Sequence, residues 1–319
     1  MGGMVAITMD VKLTKVTSSA MAGNSLSLQT VVGMVVVAFL WAICFPFIVV
    51  GLPDAPPILF AALRALLAGA FLIAIGMKLG RRFDCSFRRL VMLTLIGFSY
   101  TGMGLGGMFL GAGNVGPGVA TVLANAQPLF AAILSIFVLK EVVTVRLYFG
   151  LFIGFVGVVV LALPDFDFGA DRFVGVLYVL VGAVGTAIGN VLLKLQAGEK
   201  DVYWPMGIQL ILGAAFLLVA SLLAGEGFEV DWTWSFSGVV FVLAVPATAL
   251  MVVLWYELLA RAPLNELNPF TFLTPVFGLL IGALFFDEIF SAVEIAGIVI
   301  TVLGLLVIVI VPNREKRIV

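Results

Sequence analysis

Ten apolar stretches, each long enough for a helix to cross a bilayer and parted only by short polar breaks, leave this chain one class of surroundings. They run near 28–50, 57–78, 89–111, 118–139, 146–163, 173–194, 203–224, 236–260, 267–286 and 292–311. About 20 apolar residues in a helix span the hydrocarbon layer. Hydrophobic residues make up 63% of the 319 and charged ones 11%, and the mean hydropathy is +1.24. A soluble domain is about one-quarter charged, so this much apolar surface needs lipid around it. The spans must be helices, because an open sheet would leave backbone groups unpaired in hydrocarbon. Turn formers and charges fill the breaks, among them Pro53, Asp54 and Pro56, Arg81 to Asp84, Gly116 and Pro117, and Pro164 to Asp167.

Basic residues orient the bundle. With the N-terminal tail (1–27) in the cytoplasm, every Lys and Arg except Arg64 and Arg172 is cytoplasmic, as is the C-terminal tail (312–319). The outer loops then hold Asp165, Asp167, Asp171, Glu226, Glu229 and Asp231, with Trp232 and Trp234 at the outer interface. The tail lacks a cleavable signal pattern, and Ala6 stands where myristoylation needs Ser or Thr. Cys44 and Cys85 fall at opposite ends of this topology and cannot pair. Histidine is absent. That removes the commonest general base and metal ligand, so hydrolase or metalloenzyme chemistry is not expected, nor is a metal site or cofactor.

The chain also contains itself twice. A shift of 147 residues lays Pro128 on Pro275, Phe130 on Phe277, Glu141 on Glu288, Gly150 on Gly297 and Gly157 on Gly304. The matches are punctuating residues: helix-breaking prolines, a loop carboxylate, packing glycines. Five spans per half is an odd number, so the halves, 28–163 and 164–311, must be inserted upside down to one another. The expected fold is an all-α membrane protein of ten transmembrane helices in two inverted five-helix repeats. Such repeats typify secondary transporters that bind solute at the midplane. Duplication of a purely structural bundle is the plainer reading.

The segments Gly118–Leu161 and Asn265–Ile308 each carry a mid-helix Pro, a Glu after it, and then a helix with spaced glycines. In this the chain resembles the drug/metabolite transporter superfamily, EamA type, over residues 28 to 311. Arg64 and the Trp255-Tyr256 region also resemble family positions. The resemblance implies a ten-helix permease for amino acids or other metabolites. Its cavity would be lined by spans one, three, four, six, eight and nine.

Pro128 and Pro275 remove amide hydrogens, freeing the carbonyls of Ala124 and Thr271. Asn125, Gln127, Asn268, Thr271 and Thr274 cluster at these breaks. They either line a wet cavity or bond neighbouring helices where the chain merely bends. Arg64, roughly 10 Å deep at 1.5 Å per residue, either binds a substrate carboxylate, snorkels outward, or bonds free carbonyls. Glu257 is a candidate proton relay, although it sits near Arg261. Glu141 and Glu288 suit gating, yet the neighbouring Thr144 and Ser291–Glu294 suit helix capping better. Trp41, Tyr100 and Trp255 lie mid-span, where they could stack on a solute or simply pack. Gly150, Gly154 and Gly157 form a helix-packing face.

These readings converge on a secondary transporter in the cell (inner or plasma) membrane, working by alternating access. It would move an amino acid or a similar neutral, zwitterionic or amphiphilic metabolite, in the export direction. Its partners are a small-molecule substrate and the lipid bilayer, with proton coupling and a homodimer left open; no nucleic acid is expected. The rival readings are an intramembrane lipid-modifying enzyme and a non-transporting receptor or assembly subunit.

Overall fold

The computed structural model describes residues 26–81, 86–114, 120, 123–141, 144–163, 170–198, 201–286 and 291–310. Every element in them is helical. In chain order these are α1 (Leu28–Gly51), α2 (Pro57–Lys78), α3 (Phe87–Ile96, then Gly97–Met103 and Gly104–Asn114), α4 (Gln127–Val138) and α5 (Val145–Ala162). The second half repeats the set with α6 (Ala170–Gln196), α7 (Tyr203–Leu223), α8 (Trp234–Leu259), α9 (Leu264–Leu267, Asn268–Phe272 and Leu273–Phe286) and α10 (Ala292–Ile310). Seven described helices are long and apolar enough to cross a bilayer unaided. The others are shorter or interrupted, which matters for the site.

Local chemistry sets the starts. Ser27, Ser86, Thr144 and Thr233 each accept an amide from three residues on, at Thr30, Arg89, Leu147 and Phe236. The Ser291–Glu294 capping box closes in both directions. The ends of α2 and α7 are twins. Gly80 and Gly225 take left-handed φ, and the amides of Arg81 and Glu226 reach back to the Gly76 and Ser221 carbonyls. Each is a Schellman stop that only glycine enters cheaply.

The repeat extends to irregular backbone. The same 147-residue shift lays Gly97–Met103 of α3 over 244–250, and both segments are π-helical, the second at Val245–Leu250 of α8. Ahead of Pro128 the helix is interrupted at Asn125–Ala126, and ahead of Pro275 a 3-10 turn runs from Asn268 to Phe272. Equivalent helices pack antiparallel across the halves. In the α2–α7 crossing the α2 end lies by the α7 start, where the Trp204 indole N–H donates to the Arg81 carbonyl (3.0 Å). At the opposite end Glu226, just after α7, accepts the amides of Ile58 (3.0 Å) and Leu59 (2.9 Å). In the α5–α10 pair Gly154 and Gly157 meet Gly304 and Thr301. The chain is thus ten transmembrane helices in two inverted five-helix repeats.

Phe137, Phe152, Val219 and Leu303 point outward from the bundle, a surface that suits acyl chains and not water. The α2–α7 crossing allows no side chain between backbones. A Cβ on Gly69 would lie 2.8 Å from the Gly207 carbonyl oxygen, and one on Gly207 would lie 3.0 Å from that of Gly69. We therefore expect Gly207→Leu to cost at least ~1–3 kcal/mol by overpacking and to lower the melting temperature of the purified protein by several degrees. Gly238→Leu, where nothing lies within 4 Å, serves as the control and leaves the melting temperature unchanged.

Candidate functional site

Both irregular pairs face one cavity between the halves. Its wall takes Trp41 and Cys44 from α1, Arg64 from α2, and Tyr100, Thr101 and Met108 from α3. Asn125 and Gln127 come from the α4 break, Thr186 from α6, Thr248, Met251 and Val252 from α8, and Thr271 and Thr274 from α9. The six helices implied by the resemblance all contribute; α2 and, through Leu210, α7 join them. The cavity is displaced toward the acidic end of the bundle. At the basic end Met34, Trp255, Tyr256, Leu259 and Phe270 pack into a continuous apolar core.

Arg64 is 2% exposed, so it does not snorkel. Its Nε donates to Thr248 Oγ1 (2.7 Å), and its Nη2 donates to the Ala247 carbonyl (3.2 Å) and to Cys44 Sγ (3.1 Å). The π turn of α8 makes this possible. Inserting a residue breaks the i to i−4 ladder and turns carbonyls out of it. Thr248 then donates to the Leu243 carbonyl, five residues back (2.7 Å), while accepting from the guanidinium. Among the described residues Nη1 has no hydrogen-bond partner, and the guanidinium carbon stands 6.0 Å from the centre of the Phe109 ring. Among the described residues no acidic side chain lines the cavity.

The residues singled out in the sequence are placed differently. Trp41, Arg64, Tyr100, Asn125, Gln127 and Thr271 line the cavity. Trp255 and Asn268 lie buried outside its lining: Trp255 packs against Trp41 with ring centres 5.9 Å apart, and its indole N–H donates to Asn190 Oδ1 (2.9 Å). Pro128 and Pro275 sit just after the helix interruptions and shape the wall. Glu257 belongs to none of these sets. Two residues on from fully buried Trp255, about 200° around the helix, it is exposed on the opposite face of α8 and away from the cavity. A proton route from Glu257 through this cavity has no geometric basis. Glu288 lies outside the described residues.

Glu141 is at the basic end, between α4 and α5. Its carboxylate accepts the amides of Leu264 (2.8 Å) and Asn265 (3.0 Å) at the start of α9, a charge-assisted pair across the two halves. Burial pushes its carboxyl up from the ordinary range; the Asn265 and Leu264 amides and the nearby Lys194 charge pull it back. Lys194 of α6 donates to the carbonyls of Leu259 and Ala262 (2.6 Å to the latter), tying α6 to the end of α8. Thr144 meanwhile caps α5. Sequence reasoning did not single out Cys44, Thr248, Thr186 or Lys194. Thr248 follows a Pro in a span, a weak signal of irregular backbone; the others carried none.

Comparison with known proteins fits this architecture. Residues 28–163 and 173–310 each match the EamA-like transporter family. The uncharacterized transporters YvbV and YoaV of Bacillus subtilis are 24% and 26% identical, covering 86% and 90% of this chain and 89% and 99% of theirs. A probable amino-acid metabolite efflux pump of Salmonella typhimurium is 28% identical over 84% of this chain and 91% of its own. One crystal structure, at 20% identity, shares the fold with a TM-score of 0.73 over 90% of this chain and 98% of that one. Paired halves, matched helix breaks and two family matches make this multi-pass membrane protein a transporter of the EamA-like family.

Proposed function

We propose that the protein exports a small amino-acid-type metabolite by alternating access, from a plasma or inner membrane in which both chain ends are cytoplasmic. The carrying observation is the cavity itself, bounded by equivalent helix interruptions from two inverted halves. Interrupted helices at matched positions are where transporters of this build bind substrate. Export and substrate class draw support from the efflux-pump relatives of Salmonella typhimurium and Escherichia coli, the latter 26% identical. The basic end is cytoplasmic by the distribution of Lys and Arg.

In this reading the structure is a state closed toward the cytoplasm. Glu141 is the clasp of that closure, holding the start of α9 while the cavity lies nearer the outer face. Glu226 clamps α2 in the same chemical fashion, but α2 and α7 form the scaffold pair and Glu141 holds helices that border the cavity.

Two measurements follow. Uptake of radiolabelled amino acids and their acylated derivatives into proteoliposomes should fall strongly in Asn125→Ala and Gln127→Ala, both in the cavity wall, at normal folded abundance. Unchanged uptake in both removes the cavity as the binding site. In a Cys85→Ser background, Cys44 serves as a native reporter in the cavity wall. A hydrogen bond to a charged group contributes about 1.5–3 kcal/mol, so weakening one bond of the clasp shifts the open fraction roughly tenfold or more. Glu141→Gln should therefore speed reaction of Cys44 with an impermeant thiosulfonate from the cytoplasmic side by that factor. An unchanged cytoplasmic rate excludes Glu141 as a gate.

A further inference from the structure

We infer that the cavity selects solutes carrying one carboxylate on an otherwise uncharged body, and that Arg64 Nη1 makes the selecting contact. The inference rests on the transport reading and names its substrate class.

Arginine stays protonated in any protein setting, so a guanidinium 2% exposed is a permanent charge out of water. Its partners among the described residues are all neutral: the Thr248 hydroxyl, the Ala247 carbonyl and the Cys44 sulfur. They satisfy Nε and Nη2 and leave Nη1 without an acceptor. A buried cation without a counter-charge is costly, and the one acidic residue of α8, Glu257, is turned away from it. A carboxylate entering the cavity supplies both the missing charge and the missing acceptor. The contact is also preorganised, because the π turn of α8 and Cys44 of α1 hold the guanidinium from two sides before any solute arrives.

The rest of the wall decides what the carboxylate is attached to. No side chain there can take an ammonium as an ion pair. Gln127 Nε2, with no partner, can only donate; the unpartnered Tyr100 and Thr274 hydroxyls offer neutral hydrogen bonds. Trp41, Leu105, Met108 and Val252 give an apolar surface for the body of the solute. A free amino acid can leave its carboxylate on Arg64 but must strand its ammonium. An N-acylated or deaminated relative strands nothing.

The test uses the full-length protein in proteoliposomes and four forms of one body: N-acetylphenylalanine, phenylalanine, N-acetylphenylalaninamide and phenylalaninamide. The same four forms on a leucine body control for size. Binding is read by tryptophan fluorescence and transport by counterflow. The expected order is anion first, zwitterion second, then neutral amide, with the cation weakest. The neutral amide should bind about thirtyfold or more weakly than the anion, the order of effect when one partner of a buried, hydrogen-bonded charge pair is removed. Arg64→Gln should abolish the gap between anion and neutral amide, and Arg64→Lys should restore part of it. The ranking on the native protein stands even if a variant fails to fold. Equal binding of anion and neutral amide, or zwitterion ahead of the acylated anion, overturns the inference while leaving transport intact. Transport of none of the eight compounds overturns the transport reading for this class and the inference with it.

Discussion

A backbone amide or carbonyl without a partner cannot face hydrocarbon, and that constraint organises this protein more than any side-chain contact. Besides the single turn residue Ile43 within α1, four described segments that match between the halves depart from the α-helical ladder: the π turns of α3 and α8 and the interruptions ahead of Pro128 and Pro275. All four are turned toward one cavity between the halves, where protein or water can meet the released groups. Arg64 shows how closely charge and backbone are joined. The guanidinium bonds the Ala247 carbonyl that the π turn turns out, so the irregular helix holds the cation and the cation stabilises the irregular helix.

Regular helices carry the load around this cavity. α2 with α7, and α5 with α10, cross in antiparallel contact through small residues, so equivalent helices of the two halves meet one another directly. Of the helices bordering the cavity, α3 also meets α6 and α7 backbone to backbone, Gly107 against Gly182 and Gly97 against Gly213, whereas α4 and α9 are joined by a polar contact at their ends, the Glu141 carboxylate on the α9 amides. Contacts of that kind can be exchanged for water at a helix terminus without exposing apolar surface. Interdigitated backbones cannot.

Much of this was readable in the residues. Spans and loops follow from hydrophobicity, and the inverted halves from the matches of Pro128 with Pro275 and Gly157 with Gly304. Ser291–Glu294 announced its capping box. The paired π turns did not announce themselves, because GFSYTGM and VPATAL share no residue that marks a helix insertion; only superposing the halves makes them equivalent. Residue type alone also misjudged facing. Trp255 and Glu257 both lie in the last turns of α8, yet helical rotation buries the indole outside the cavity lining and turns the carboxylate to the exterior. Cys44 and Thr248 became partners of Arg64 through tertiary approach, which no spacing in one chain reveals.

The account depends on the two halves standing in opposite senses across the bilayer. Leu79, just past α2, and Glu229, past α7, lie on the equivalent loops of the two repeats, and Leu79 is exposed. Single cysteines at these positions, in a background lacking Cys44 and Cys85, can be labelled with a membrane-impermeant maleimide in intact cells and in inverted vesicles. Leu79→Cys should label only in inverted vesicles and Glu229→Cys only in intact cells. Labelling of both from the same side would contradict the inverted architecture and the alternating access built on it.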